Sequence, residues 1–132
     1  MKIAAIILNY NSAKDTIKCL GFLQKQRGVD LHVIVVDNSL PDYRLQITDY
    51  SQLFIAKGSK TFGSTELIYA EENRGYSAGN NIGLRRATEI GAKYALVINP
   101  DMELTDVNYI ARLVEVMERD EDIVVAATDV VT

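Results

Sequence analysis

Short apolar runs spread along the chain constrain its fold more than any other feature. Ile3-Ala-Ala-Ile-Ile-Leu8 and Leu31-His-Val-Ile-Val-Val36 are nearly unbroken and rich in branched residues. That is the pattern of strands covered on both faces, as in a parallel sheet, rather than strands with one wet face. Leu67-Ile-Tyr-Ala70, Tyr94-Ala-Leu-Val-Ile98 and Ile123-Val-Val-Ala-Ala127 read as a third, fourth and fifth strand. Helical patterns lie between them. Ser12, followed by Asp15, resembles a capping box, and Ala13, Ile17, Leu20 and Leu23 then recur at helical spacing towards Gly28. A second helix opens near Ser77 and runs to about Gly91, and a third, from near Thr105, carries Val107, Ile110, Val114 and Met117 on one face. Strands alternating with helices predict an α/β domain with a doubly wound, mostly parallel sheet, whose ligands bind beyond the carboxyl ends of the strands. The pattern weakens from about 40 to 65, where Leu45, Ile47, Leu53, Phe54 and Ile55 suggest a short helix in a peripheral insertion.

A length of 132 residues, 48% of them hydrophobic, suits one domain over residues 1–132 with a single core. The net charge of −4 provides no basic field to gather nucleic acid, so no nucleic-acid partner is expected. Cys19 is the only cysteine, which rules out an intramolecular disulfide and suits a reduced, cytoplasmic setting. The N-terminal apolar stretch ends at Leu8, too short for a bilayer, and no other stretch reaches transmembrane length.

The chemistry should sit where the strands end. Asn9-Tyr10-Asn11 follows the first run, Asp37-Asn38-Ser39 the second, Glu71 to Gly75 the third and Asn99-Pro100-Asp101 the fourth. Singly, each is better explained as a cap or turn. Together they suggest a cleft for a ring, a sugar and a diphosphate, with Tyr10 as a stacking face and Asp37 as an acceptor for an imide or amide N–H. Asp101, with Glu103 two residues on, offers oxygen ligands to magnesium or manganese, which take one or two carboxylates plus substrate phosphates. The competing explanation is that both acids precede a helix, where negative charge suits the dipole.

Ile7-Leu-Asn-Tyr-Asn11, Val35-Val-Asp-Asn-Ser39, Glu72-Asn-Arg-Gly-Tyr-Ser-Ala-Gly-Asn-Asn-Ile-Gly83 and Val97-Ile-Asn-Pro-Asp101, in that order, resemble the nucleotide-sugar half of a family 2 glycosyltransferase of the GT-A fold. The Asn-Pro-Asp variant is similar to that of bacterial rhamnosyltransferases. The resemblance implies inverting transfer of a sugar from a UDP- or dTDP-sugar to a glycan or lipid-linked acceptor, in cell-surface polysaccharide synthesis. It places Tyr10 on the pyrimidine, with Asn9 and Asn11 beside it, and Asp37 on the base. Arg74 falls beside the donor site, where it can meet a phosphate, with Asn73 at the same strand exit and Asn80 behind them in the first turn of the helix, where capping or loop-bracing explains Asn80 and Asn81 at least as well as ligand contact. Asn99 and Asp101 take the outer places of an Asp-x-Asp motif, Asp101 as the manganese or magnesium ligand with Glu103 in support. Asn99 departs from the acid usual at its place.

The resemblance also places the general base in an acceptor-binding half downstream, which these 132 residues do not include. The expectation is therefore a truncated nucleotide-sugar-binding half with little activity alone, at the cytoplasmic side or the inner face of the membrane. A non-catalytic α/β interaction module stays open as the alternative. A sugar nucleotidyltransferase or nicotinamide enzyme would need a glycine-rich loop after the first strand, and Asn9-Tyr-Asn-Ser12 is unlike one.

Gly75, Gly79 and Gly83 recur every four residues; Gly79, Gly83 and Ala87 share one helical face and predict close packing on the sheet. His32 is expected to be packed, Cys19 inert, and Arg85 and Arg86 a solvated face with Glu89 paired to Arg85.

Overall fold

Four of the expected strands pair in one sheet. The computed structural model describes residues 1–45, 65–70 and 75–127. In it β1 (Lys2–Asn9), β2 (Asp30–Asp37), β3 (Thr65–Tyr69) and β4 (Tyr94–Ile98) are ordered β3-β2-β1-β4, with all three pairings parallel. The helices are α1 (Ala13–Leu23), α2 (Tyr76–Glu89) and α3 (Tyr109–Arg119). The continuous apolar runs are explained by what covers them. Ile3, Ala5 and Ile7 of β1 face a core shared with Leu20 and Leu23 of α1 and Ile110 of α3. Ala4, Ile6 and Leu8 face the opposite core, which holds Ala87 of α2. Chain order reverses between β1 and β4, so the crevice at their carboxyl ends is the topological switch point.

The glycines of α2 set its distance from the sheet. A Cβ on Gly79 would lie 2.5 Å from Leu8 Cδ1, and one on Gly83 would come closer still to Ile6 Cγ2. On the opposite face, the loop after α1 receives α3. Gln26 accepts the Ile110 N–H at 3.0 Å and donates to the Asp106 carbonyl at 2.8 Å.

Several expectations are corrected. Ser12 does precede α1, but its hydroxyl donates to the Tyr10 carbonyl at 2.7 Å, so no capping box forms. The third helix begins at Tyr109 rather than near Thr105. Residues 123–127 form no strand: Val124 and Val125 are 83% and 82% exposed, and the run lines an apolar groove with Ile3, Leu96, Ile110 and Val114. An apolar run suits a strand but does not by itself provide a hydrogen-bonded neighbour, and here the run borders the groove while its valines stay exposed. The groove lies along the α3 face, away from the strand exits. Most of the segment from about 40 to 65, where a short helix was suggested, falls outside the described residues. Of the described part of that segment, Leu40 to Tyr43 are exposed and Leu45 is fully buried.

Arg86, not Arg85, pairs with Glu89, and it also grips Glu66 of β3 with two bonds of 2.8 Å. Paired guanidinium and carboxylate forks are among the stronger charge-assisted contacts. His32 is buried with Nε2 3.7 Å from Glu66, as its strand position suggested, and burial pulls its pKa down. The Arg86 hydrogen bonds hold the Glu66 carboxyl below its ordinary 4.5. A depressed folded pKa stabilises fully above the unfolded value and is lost as pH falls through the folded one. Arg86→Ala should therefore lower the urea midpoint at neutral pH, with the deficit shrinking as acid protonates Glu66. An equal deficit in acid would show that the ion pair contributes nothing.

Candidate functional site

The polar clusters meet at the carboxyl edge, and Asn9 holds two of them together. As the last residue of β1 it points to the α1 face, where it is fully buried. Its Nδ2 donates to Asp37 Oδ1 and to Ser39 Oγ, each at 3.2 Å, and its Oδ1 accepts the Thr16 hydroxyl of α1 at 2.7 Å. Asn9 therefore braces the site from beneath and does not face the cleft, which corrects its expected role as a nucleotide contact. A buried amide linking two strand exits to a helix is explained by satisfaction of its own polar atoms.

Asp37 is equally buried. Its Oδ1 also accepts the Ser39 N–H at 3.0 Å, and its Oδ2 accepts the Leu45 N–H at 2.5 Å. The carboxylate thus shapes the loop after β2, and any contact with a base N–H must use the lone-pair directions left over. Leu45 is anchored from a second side, because its carbonyl accepts the Tyr69 hydroxyl at 2.6 Å while the Arg44 guanidinium lies 5.5 Å from the Tyr69 ring centre.

Above this braced floor the accessible groups are aromatic and polar. Asn11 adopts φ 49°, a left-handed conformation that asparagine tolerates better than most residues. Its N–H donates to Ser39 Oγ at 2.8 Å and its Oδ1 accepts the Leu40 N–H at 3.2 Å. This turn lifts Tyr10 out of the sheet, leaving it 47% exposed and open to stacking. Asn73 and Arg74 lie outside the described residues.

At the start of α2, Gly75 has φ 98° and ψ −178°, a combination essentially restricted to glycine. Asn80, in the first turns, is 7% exposed, and its Oδ1 is buried with no hydrogen-bond partner among the described residues. An unmet buried acceptor costs about 1–3 kcal/mol, so an occupant bringing an N–H or O–H would relieve it.

The β4 exit carries the acids. Asp101 is exposed, and among the described residues no ion pair holds it. Its charge reaches Cys19 on α1, whose thiol burial, aided by Asp101, pushes up to about 11; the thiol is inert as expected. Glu103 instead pairs with Lys18 of α1 at 2.6 Å. Among the described residues no three histidine, cysteine, aspartate or glutamate side chains gather into a metal cluster. A hard cation that takes most of its oxygens from a diphosphate requires no such cluster, and the Asp101 carboxylate is a fitting protein ligand. Any support from Glu103 competes with Lys18, which engages one of its two carboxylate oxygens.

One residue at this edge escaped the sequence reading. Tyr76, the first residue of α2, is 56% exposed and its hydroxyl donates to Asn99 Oδ1 at 2.9 Å. The available signal was an aromatic side chain at a helix start with no place in either apolar stripe.

The family model described as "Glycosyl transferase family 2" matches residues 4–132. Among solved structures, S. aureus TarS superposes with a TM-score of 0.65 at 20% identity over 90% of this chain. TarS 1-349 in complex with UDP gives 0.64 at 21%, and the complex with UDP-GlcNAc gives 0.60 at 22%, each over 90% of this chain. At such identities the likeness shows the fold. The chain spans 20% of the first of these structures and 32% of the other two. No curated protein sequence matches it.

Proposed function

The chain belongs to glycosyl transferase family 2, and on that premise we propose that it supplies the nucleotide-sugar site of an inverting transferase. The observation that carries this reading is the strand-exit edge at the switch point: exposed Tyr10 after β1 and the exposed Asp101 carboxylate after β4, which no ion pair holds among the described residues, stand beside a floor braced by Asn9 and Asp37. Tyr10 stacks on the pyrimidine. Asp37 reaches the base edge, Asn11 lies beside it, and Asn73 and Arg74 approach the diphosphate with Asn80 behind them. Asp101 holds manganese or magnesium, and the cation neutralises charge on the diphosphate when bound.

The reaction is transfer to an acceptor hydroxyl on a glycan or lipid-linked acceptor in cell-surface polysaccharide synthesis, at the cytoplasmic side of the membrane. Inverting transfer needs a base beside the acceptor oxygen, and we assign none among the described residues. Among the described residues no helix is long and apolar enough to cross a membrane. UDP is the first candidate nucleotide, because the TarS complexes hold UDP and UDP-GlcNAc. The rhamnosyltransferase-like Asn-Pro-Asp sequence keeps dTDP as the second.

Calorimetric titration with UDP and dTDP, with and without manganese, tests the reading. Manganese should tighten binding of one nucleotide, and Asp101→Ala should remove that gain, about tenfold or ~1.4 kcal/mol. A folded chain that binds neither nucleotide would refute the assignment and favour a module that kept the scaffold without the chemistry.

A further inference from the structure

The Tyr76–Asn99 pair is not explained by packing. Tyr76 belongs to neither hydrophobic cluster, and both side chains are exposed. Ordering two exposed side chains against each other gains little by itself, since a neutral hydrogen bond in water is nearly offset by the bonds to solvent it replaces. The pair nevertheless stands at the edge where two segments far apart in sequence converge, the start of α2 and the end of β4. Pairing of Ile7 with Ile98 puts Asn99 next in register with the β1 exit, two residues before Asp101.

A carboxamide has one accepting end and one donating end. With the phenol donating to Asn99 Oδ1 at 2.9 Å, the accepting end is engaged by protein, and among the described residues nothing engages Nδ2. An aspartate at this position would present only acceptors, which suit a cation. Asn99 held in this way presents two N–H donors, which suit a phosphate or ribose oxygen.

We propose that Tyr76 is a positioning residue that orients the Asn99 carboxamide so that Nδ2 donates to an oxygen of the bound nucleotide. Position 99 then reads the ligand directly, and Asp101 alone supplies protein charge to the cation. This role rests on the nucleotide-sugar reading of the site.

The test is UDP titration in manganese of the wild-type chain, Tyr76→Phe, Asn99→Ala and the double variant. Tyr76→Phe should weaken UDP binding about fivefold and Asn99→Ala about tenfold, in the range of one lost hydrogen bond. The double variant should match Asn99→Ala, because Tyr76 acts only through Asn99. The manganese dependence should survive in all three, since Asp101 is untouched, and thermal midpoints should stay near wild type, as for exposed substitutions generally. Wild-type affinity in Tyr76→Phe would overturn the role. So would a fivefold loss that persists in the Asn99→Ala background, which would mean that Tyr76 touches the nucleotide itself. Absence of UDP binding by the wild-type chain would instead overturn the site assignment, and this role with it.

Discussion

Asn9→Ala is expected to destabilise the fold by about 3 kcal/mol. The substitution leaves Asp37 buried and short of one donor, and it strips partners from Ser39 and from Thr16 on α1. Breaking hydrogen bonds to a buried charge costs more than breaking neutral ones, because the carboxylate has no water to fall back on. Urea unfolding should show a lower midpoint with an unchanged slope, since the native surface is the same. A loss below about 1 kcal/mol would mean that the backbone bonds from Asn38 to Asn9 and from Ala70 to Asp37 suffice to hold the edge.

Gly83→Val is expected to cost a further structural amount of similar size, roughly 3 kcal/mol, by overpacking. Gly83 sits over Ile6, a fully buried β-branched residue whose Cγ2 cannot rotate away without striking its neighbours. The helix must lift, and the α2 start carrying Gly75, Tyr76 and Asn80 moves with it. Gly79→Ala should be milder, because it meets the outer atoms of Leu8, which is 8% exposed and better able to yield. Equal tolerance at both positions, by thermal unfolding, would show that α2 is not held at glycine distance.

The sheet was legible in the sequence because covered parallel strands leave unbroken branched runs, and those at Ile3 and Leu31 carry that mark; the run at Tyr94 was legible too, although one face of that strand, with Ala95 and Val97, is exposed. The run at Ile123 carries it too and forms no strand among the described residues, since apolar composition says nothing of whether a free sheet edge is within reach. At the site, types were legible and depths were not. Spacing put Asn9, Tyr10 and Asn11 at one strand end, but alternation sends Asn9 into the α1 core and lets Tyr10 emerge. Glu103 was read beside Asp101, whereas Lys18, from a helix distant in sequence, claims it. The Tyr76–Asn99 bond joins residues 23 apart, beyond any local pattern. Arg86 escaped for the same reason, its stronger partner being Glu66 on a strand.

In the proposed site, nucleotide and cation meet at the carboxyl ends of β1 and β4. Amide spectra of the labelled chain, recorded with UDP as manganese is added in trace amounts, test it most directly, because a paramagnetic ion broadens only the signals near it. Broadening is expected to centre on Asn99 to Met102, to extend to Tyr10 and the start of α2, and to be lost in Asp101→Ala. Broadening centred elsewhere, at the apolar groove beside α3 or along exposed acids such as Glu121 and Asp122, would contradict it.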